Sequence, residues 1–230
     1  MPQAAKSLPQ KIDLTGKYCR LEPLNEAVHG KDLWNLAGSC EDVWTHLLNG
    51  PWADEQEFFK WLKFCENHPS RTYYAIINRQ TGTALGAISL IDCNLEHATG
   101  EIGGIFFSPQ LQKTTLATEA VYLLSRYFFE NLGNRRLYWK CNANNKASEK
   151  AALRFGFIFE GTFRQHMIIK GKNRDSMFFS ILDGEWGKCR EAFERWLDDS
   201  NFDEAGLQKI RLEDLRNLNT RQALFEKEGG

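Results

Sequence analysis

Residues 108–130 read SPQLQKTTLATEAVYLLSRYFFE, and the fold turns on how this stretch is parsed. It is entered from the apolar run Ile105-Phe106-Phe107, which ends in a Ser-Pro turn. Pro109 cannot continue a central strand, and it biases Ser108 towards an extended backbone. A short polar segment, Gln110 to Thr115, follows. From Leu116 onwards Leu116, Ala120, Leu123, Leu124, Tyr127 and Phe128 share one face at helical spacing. Thr114 or Thr115 is placed to cap that helix. A strand thus runs through a tight polar turn into a helix N-terminus, presenting unpaired N–H groups and a positive dipole end to an anion. Most such units bind nothing. The glycines that usually let a backbone approach a pyrophosphate are also missing, because Lys113, Thr114 and Thr115 occupy those places.

The chain of 230 residues is 42% hydrophobic and 26% charged, enough for one globular domain with an appended segment. Lysine and arginine number 29 against 30 acidic residues, so a net charge of −1 gives no field favouring nucleic acid or an anionic membrane. Residues 1–16, MPQAAKSLPQKIDLTG, lack an apolar signal segment, and no run approaches a membrane span. A cytoplasmic protein, monomer or homodimer, is expected. Six scattered cysteines with no C-x-x-C pair read as reduced, mostly buried thiols, and isolated histidines give no metal-ligand spacing, so no metal is expected.

Along the chain, residues 1–16 read as a loose polar arm and Tyr18–Leu24 as a first strand. Helical patterns follow from Asn25 to a stop at Gly38, over Asp42–Leu48, and over Asp54–Asn67, the last capped by Asp54 with Glu57 three residues on. Thr72–Asn78, Ala84–Ile91 and Gly100–Phe107 read as strands, and Gly103-Gly104 marks a bulge or a close backbone approach. Arg136–Cys141 is a strand, and Lys146–Phe155 is a helix capped by Asn144 or Asn145 and ended by Gly156. Phe157–Phe159 and Thr162–Lys170 are extended, Gly171-Lys172-Asn173 turns, and Ser176–Leu182 returns. Trp186–Leu197 is helical, and residues 202–225, with Leu207, Ile210, Leu215 and Leu218 as a weak stripe, suggest an appended helix. Helices between strands imply an α/β (α+β) architecture with a mixed, mostly antiparallel sheet covered on both faces.

Three stretches resemble the GNAT acetyltransferases, and more narrowly the branch of the ribosomal-protein N-terminal acetyltransferases. Residues 108–120 resemble the acetyl-CoA signature ending in A-T-E-A. Asn145-Lys146-Ala147-Ser148, followed by Ala151 to Phe157, resembles the second motif, N-x-x-S before a helix ending in G-F. Glu160 to Arg164, Arg174-Asp175 and Glu185-Trp186 resemble the C-terminal hairpin. The resemblance runs from Tyr18 to Trp196 and implies an arm (1–16), an acetyltransferase domain (17–198) and a helical extension (199–230). It departs at the signature glycine, which falls on Thr115. A β-branched residue avoids positive φ, so the loop must close with negative φ there or hold CoA differently.

The resemblance implies direct acetyl transfer from acetyl-CoA to a primary amine: a protein N-terminus, a lysine or a small amine. A catalytically silent acyl-CoA-binding module is the alternative. Deprotonating lysine at neutral pH costs about 4.6 kcal/mol against about 1 kcal/mol for an α-amino group, so lysine acceptors demand a strong base. Glu101, on the strand before Gly103-Gly104, is the candidate base, acting through one water; a structural hydrogen-bond acceptor is its alternative role. Ser148 stands on the thiolate side as acid or thiol orienter, or serves as a helix N-cap. Gln112, Lys113, Thr114, Thr115, Leu116, Ala117 and Thr118 would hold the pyrophosphate, with the Thr114 and Thr115 hydroxyls donating. Asn145 would bond the pantetheine arm. Phe106 and Phe107 would meet it with backbone groups, one N–H near Phe106 serving as oxyanion donor. Where the branch carries a hairpin glutamate stands Met167, beside a fallback base, His166. Cys141 reads as inert core rather than nucleophile. Trp34, Trp44, Trp52, Phe58, Phe59 and Trp61 are core or acceptor wall. Arg164, His166, Lys170, Lys172 and Arg174 are a solvated set or a site for an acidic acceptor.

Overall fold

The computed structural model describes residues 3–217 and builds them around one sheet. Its strands are β1 (Leu14–Thr15), β2 (Cys19–Pro23), β3 (Thr72–Asn78), β4 (Ala84–Asn94), β5 (Thr99–Phe107), β6 (Arg136–Asn142), β7 (Ile158–Ile169) and β8 (Lys172–Leu182). They lie in the order β1-β2-β3-β4-β5-β6-β8-β7, and only the β5–β6 neighbours run parallel. The helices are α1 (Glu26–Leu33), α2 (Glu41–Trp44), α3 (Glu55–Glu66), α4 (Thr115–Arg126), α5 (Lys146–Phe155) and α6 (Asp183–Leu197).

Strand alternation sorts the apolar residues into two cores. On one face Tyr74, Ile76, Ile88, Ile102, Leu137 and Trp139 pack with α4, α5 and α6. On the other, Tyr73, Ala75, Ile77 and Phe106 pack with Leu33, Phe58 and Leu62 of α1 and α3. Local chemistry sets the ends of these elements. The Asp54 carboxylate accepts from the Glu57 N–H at 2.9 Å to start α3, and Gly156, at φ 102, ends α5 in the left-handed conformation.

The Gly103-Gly104 pair does form a bulge. Ala87 pairs with Phe106 and Ser89 with Gly103, so three steps on β5 oppose two on β4. Gly104 takes φ 56, and a Cβ there would lie 2.7 Å from Ser89 Oγ. A Cβ on Gly103 would lie 2.9 Å from Glu101 Oε1, so both glycines leave room for polar groups on that face. Pairing of β5 with β6 stops at Glu101↔Tyr138, after which the strands part.

Several expectations are corrected. The hairpin turns at Lys170-Gly171, not at Gly171-Lys172-Asn173: Ile169 pairs with Lys172, and the two turn residues take φ 50 and 72. That two-residue turn matches the right-handed strand twist. β7 is one strand rather than two pieces, because bulges after Phe159 and Phe163 absorb the extra residues. The helix sought at 42–48 closes only one turn. The N-terminal arm is pinned rather than loose, with the Lys6 N–H bonded to Leu132 O and the Gln10 N–H to the Tyr127 hydroxyl. Residues 202–211 are not helical: Leu207 and Ile210 are exposed, and the segment is held by a Phe202↔Gln208 bridge and a Trp196-to-Gln208 hydrogen bond. Leu212 and Leu215, in the helical residues 212–217, are buried in the first core. Leu218 and the rest of the proposed stripe lie outside the described residues.

Candidate active site

The parting of β5 and β6 opens an unpaired strand edge inside the sheet. Glu101 stands where pairing ends, 3% exposed, with its carboxylate 2.9 Å from the Lys140 ammonium. Burial raises its pKa above the ordinary glutamate value; the charge of Lys140 opposes that shift without cancelling it. Lys140 is the neighbour of Trp139 on β6, and neighbouring side chains point to opposite faces of a sheet. Trp139 points into the α5 side, and its indole N–H donates to Ser148 Oγ at 2.9 Å. β6 therefore holds Glu101 on one face and Ser148 on the other, with the gap between the strands separating them.

Ser148 is not the cap of α5. That position is taken by Asn145, whose Oδ1 accepts from the Ser148 N–H at 3.0 Å. Because Ser148 Oγ accepts from Trp139, its own proton remains available for donation. Cys141 lies beside this hydroxyl; burial raises its thiol pKa, which disfavours the nucleophilic thiolate.

At the start of α4 the backbone departs from a glycine-rich loop in a defined way. Thr115 is the first residue of the helix, and the left-handed conformation falls two residues earlier, on Lys113 at φ 61. The loop thus closes with no positive φ at Thr115. The Thr114 hydroxyl is not free: it donates to Leu111 O at 2.6 Å and accepts from the Ala117 N–H at 3.2 Å as the N-cap. Thr118 is buried, with its N–H bonded to Thr114 O and its hydroxyl accepting from Arg154 at 3.0 Å. Gln112 turns back, its side-chain amide donating to Phe107 O at 3.1 Å. Among the described residues, the N–H groups of Lys113, Thr115 and Leu116 keep no protein acceptor, as expected at a helix start. These are the donors an anion would meet.

The opposite face carries the other candidates. Trp44 and Phe58 are fully buried, while Trp34, Trp52, Phe59 and Trp61 are only partly so, and Phe106 of β5 closes the cluster 5.1 Å from Trp44. Across from it, Lys170 at the hairpin tip donates to Trp44 O at 2.8 Å, joining hairpin to helix. The five basic residues of the hairpin do not form one patch: Arg174 is buried, Lys170 is pinned, and Arg164 and Lys172 are exposed. His166 is exposed, bonded to Ser176 Oγ at 3.0 Å and set edge-on to Phe178. Lys140, the ion-pair partner of Glu101, escaped the sequence reading, although two-residue alternation on β6 opposite Trp139 was a signal for it.

A parallel pair that parts beside a helix N-terminus is the geometry in which an extended thioester carrier would be gripped. The family model described as an acetyltransferase (GNAT) domain matches residues 19–158, more than half of the chain. The chain belongs to the GNAT acetyltransferases. Its structure is similar to that of a GCN5-related N-acetyltransferase from Brucella melitensis, with a TM-score of 0.90 and 38% identity over 93% of this chain and 98% of that one. YdaF of Bacillus subtilis, named a candidate ribosomal N-acetyltransferase, is 28% identical over 58% of this chain and 82% of its own length. A spermidine N-acetyltransferase from Vibrio cholerae, in complex with CoA and spermine, shares the fold at a TM-score of 0.61 and 18% identity, over 74% of this chain and 98% of that one. As a GNAT protein, the chain is an acetyl-CoA-dependent N-acetyltransferase. Among its described residues, no helix is long and apolar enough to cross a membrane.

Proposed function

We propose that this GNAT acetyltransferase moves the acetyl group of acetyl-CoA directly to a primary amine, with Glu101 as general base and Ser148 as acid on the sulfur side. The observation that carries this reading is the pairing of those two groups across the β5–β6 gap. One is a buried carboxylate with a raised pKa, the other a hydroxyl that accepts from Trp139 and so has its proton to donate, the Cys141 sulfur being its neighbour. The amine would enter from the face of Glu101, between the aromatic cluster and the β7–β8 hairpin. The carrier would enter from the side of α4 and α5.

The free edge of β5 near Phe106 and Phe107 would bond the pantetheine arm as an added strand, and an N–H there would meet the carbonyl oxygen. Asn145 keeps its side-chain N–H groups for the same arm. The N–H groups of Lys113, Thr115 and Leu116 would receive the pyrophosphate, assisted by the Thr115 hydroxyl and the helix dipole. The Lys113 ammonium adds a solvated charge. Lys113→Gly preserves the left-handed turn while deleting that charge. It is expected to leave stability within about 1 kcal/mol of wild type and to weaken acetyl-CoA about two- to fivefold. Calorimetry at low and high salt reads this. Equal affinity in both proteins at both salt concentrations would remove Lys113 from the phosphate site.

The acceptor class is best sought among protein N-termini, lysines and small amines together. The name given to YdaF makes ribosomal-protein N-termini the first peptides to try. Release of CoA thiol on mixing acetyl-CoA with that panel is the test. Saturable binding and turnover on at least one amine are expected. Binding with no turnover on any acceptor would favour a silent acyl-CoA-binding module, and no binding at high micromolar acetyl-CoA would end the proposal.

A further inference from the structure

The face of the sheet that carries Glu101 holds a charge that the roles above leave unused. Tyr138 pairs with Glu101 across β5–β6, while across β6–β8 Lys140 pairs with Phe178 and Asn142 with Ser176. Residues opposed in a ladder share a face, and so do residues two apart on one strand. Glu101, Lys140, Phe178, Ser176 and Arg174 therefore stand on one face, across the sheet from Trp139 and Ser148. Contacts bear out that placement. The Lys140 ammonium lies 2.9 Å from Glu101 and 5.8 Å from the centre of the Phe178 ring, and His166 bonds Ser176 Oγ at 3.0 Å. The register holds as far as Arg174: the Ala143 N–H donates to Asp175 O at 3.0 Å, and Met167 of β7 pairs with Arg174.

Arg174 is 7% exposed, and its buried Nε has no hydrogen-bond partner among the described residues. The carboxylate on its own face, Glu101, is held by Lys140. Removing a guanidinium from water without supplying an anion is unfavourable, and burial pulls its pKa below the ordinary arginine value. Such a charge persists where its partner arrives with a ligand, and this is the face by which the acceptor would enter. We propose that Arg174 determines specificity by binding a carboxylate of the acceptor, and that the acceptor is a peptide N-terminus with an acidic residue at its second or third position. The proposal rests on the acetyl-transfer reading above and names its substrate class. The planar fork of arginine matches a carboxylate through two parallel hydrogen bonds. Spacing selects the peptide. Arg174 lies about 20 Å along β8 from Ser180, the partner of Tyr138 at the level of Glu101. The extended side chains of Arg174 and Glu101 take up roughly half of that length. A free amino acid, with amine and carboxylate on one carbon, does not span the remainder. An extended peptide advances about 3.5 Å per residue, so a side-chain carboxylate on its second or third residue does.

The test is release of CoA thiol by the full chain acting on C-terminally amidated tetrapeptides that differ only in Asp against Asn at the second and third positions. Free aspartate and neutral small amines complete the panel. Wild type is expected to use the Asp peptides with kcat/KM about tenfold or more above their Asn counterparts, chiefly through KM, and to show no preference for free aspartate. R174Q should bring the Asp-to-Asn ratio to within about twofold of one, and R174K should retain part of it. Both variants should bind acetyl-CoA within about threefold of wild type. A ratio near one in wild type overturns the proposal without recourse to any variant. A ratio preserved in R174Q also overturns it, as does an equal loss on Asp and Asn peptides, which would make Arg174 a structural charge. Loss of fold in both variants overturns it too, since a charge kept for a ligand is dispensable for folding. Preference for free aspartate overturns it in favour of an amino-acid acceptor. Turnover of amines with no acidic preference overturns this proposal alone, whereas turnover of no amine at all overturns it together with the reading it rests on.

Discussion

Glu101→Gln is expected to lower kcat by about 10²- to 10³-fold while leaving acetyl-CoA affinity within about threefold of wild type. An attacking amine must shed a proton as the C–N bond forms, and a carboxylate serves that step well only when its pKa approaches the working pH. Burial at 3% exposure lifts Glu101 in that direction, and Lys140, at 2.9 Å, keeps the lift from becoming a permanent proton. Gln fills the same volume but cannot accept a second proton. The rise of kcat/KM with pH across the Glu101 titration should therefore vanish in the variant.

Stability supplies an independent check. A glutamate whose folded pKa is raised binds its proton more tightly in the native state than in the unfolded chain. Its favourable contribution is complete below the unfolded pKa and is lost as pH rises through the folded one. As pH rises through that folded pKa wild type carries a loss that Gln does not. Lys140 loses a counter-ion in the variant but is 21% exposed in its side chain and can be hydrated. Glu101→Gln should thus melt no lower than wild type at neutral pH, and the stability difference should disappear in acid. A base is separated in this way from a merely structural carboxylate, whose removal would lower activity and melting temperature together. Full turnover in the variant would sink the assignment outright.

What could be read from the sequence here was local. The helix after Ser108, the Asp54 cap, the Gly156 stop and the Gly103-Gly104 bulge each depend on residues within a few positions of one another, and all four stand in the structure. Glu101 beside the bulge was legible for the same reason. What escaped was decided at long range or by parity. The basic residues of the hairpin read as one set, yet Lys172 stands at the exposed turn while Arg174, further down the same face of β8, is buried by long-range packing. The left-handed turn before α4 went to Lys113, where no glycine signals it. The Thr114 hydroxyl read as a phosphate donor because a cap and a ligand contact want the same residue type, and the structure spends it on the cap. The acidic residue of A-T-E-A read as part of a ligand signature, though its partners lie about a hundred positions away.

That residue, Glu119, carries the largest stability effect expected of any single substitution discussed. It is 3% exposed on α4, and its carboxylate accepts from the backbone N–H groups of Lys17, Tyr18 and Cys19 at 2.6, 2.7 and 2.7 Å. It therefore latches the entry of β2 to α4, the helix whose N-terminus is the proposed carrier site. The approach is so close that a Cβ on Gly16 would lie 2.4 Å from Glu119 Cδ. Truncation to Ala leaves the buried Cys19 donor and the part-buried Lys17 and Tyr18 donors without their acceptor, each costing up to about 1–3 kcal/mol, so a total near 3–5 kcal/mol is expected once the lost packing is added. At roughly 2–4 °C per kcal/mol for a chain of this size, Glu119→Ala should melt about 6–20 °C lower. Glu119→Gln should fall between, since its amide keeps one acceptor oxygen but turns an NH2 group towards the same donors. Acetyl-CoA should restore part of the loss, because a ligand bound only by the native state stabilises it by mass action. The recovery should be larger than in wild type if the latch also orders the N-terminus of α4. A Glu119→Ala protein that melts within about 2 °C of wild type would mean that the three bonds do not hold β2 against the helix, and the latch would have to be abandoned.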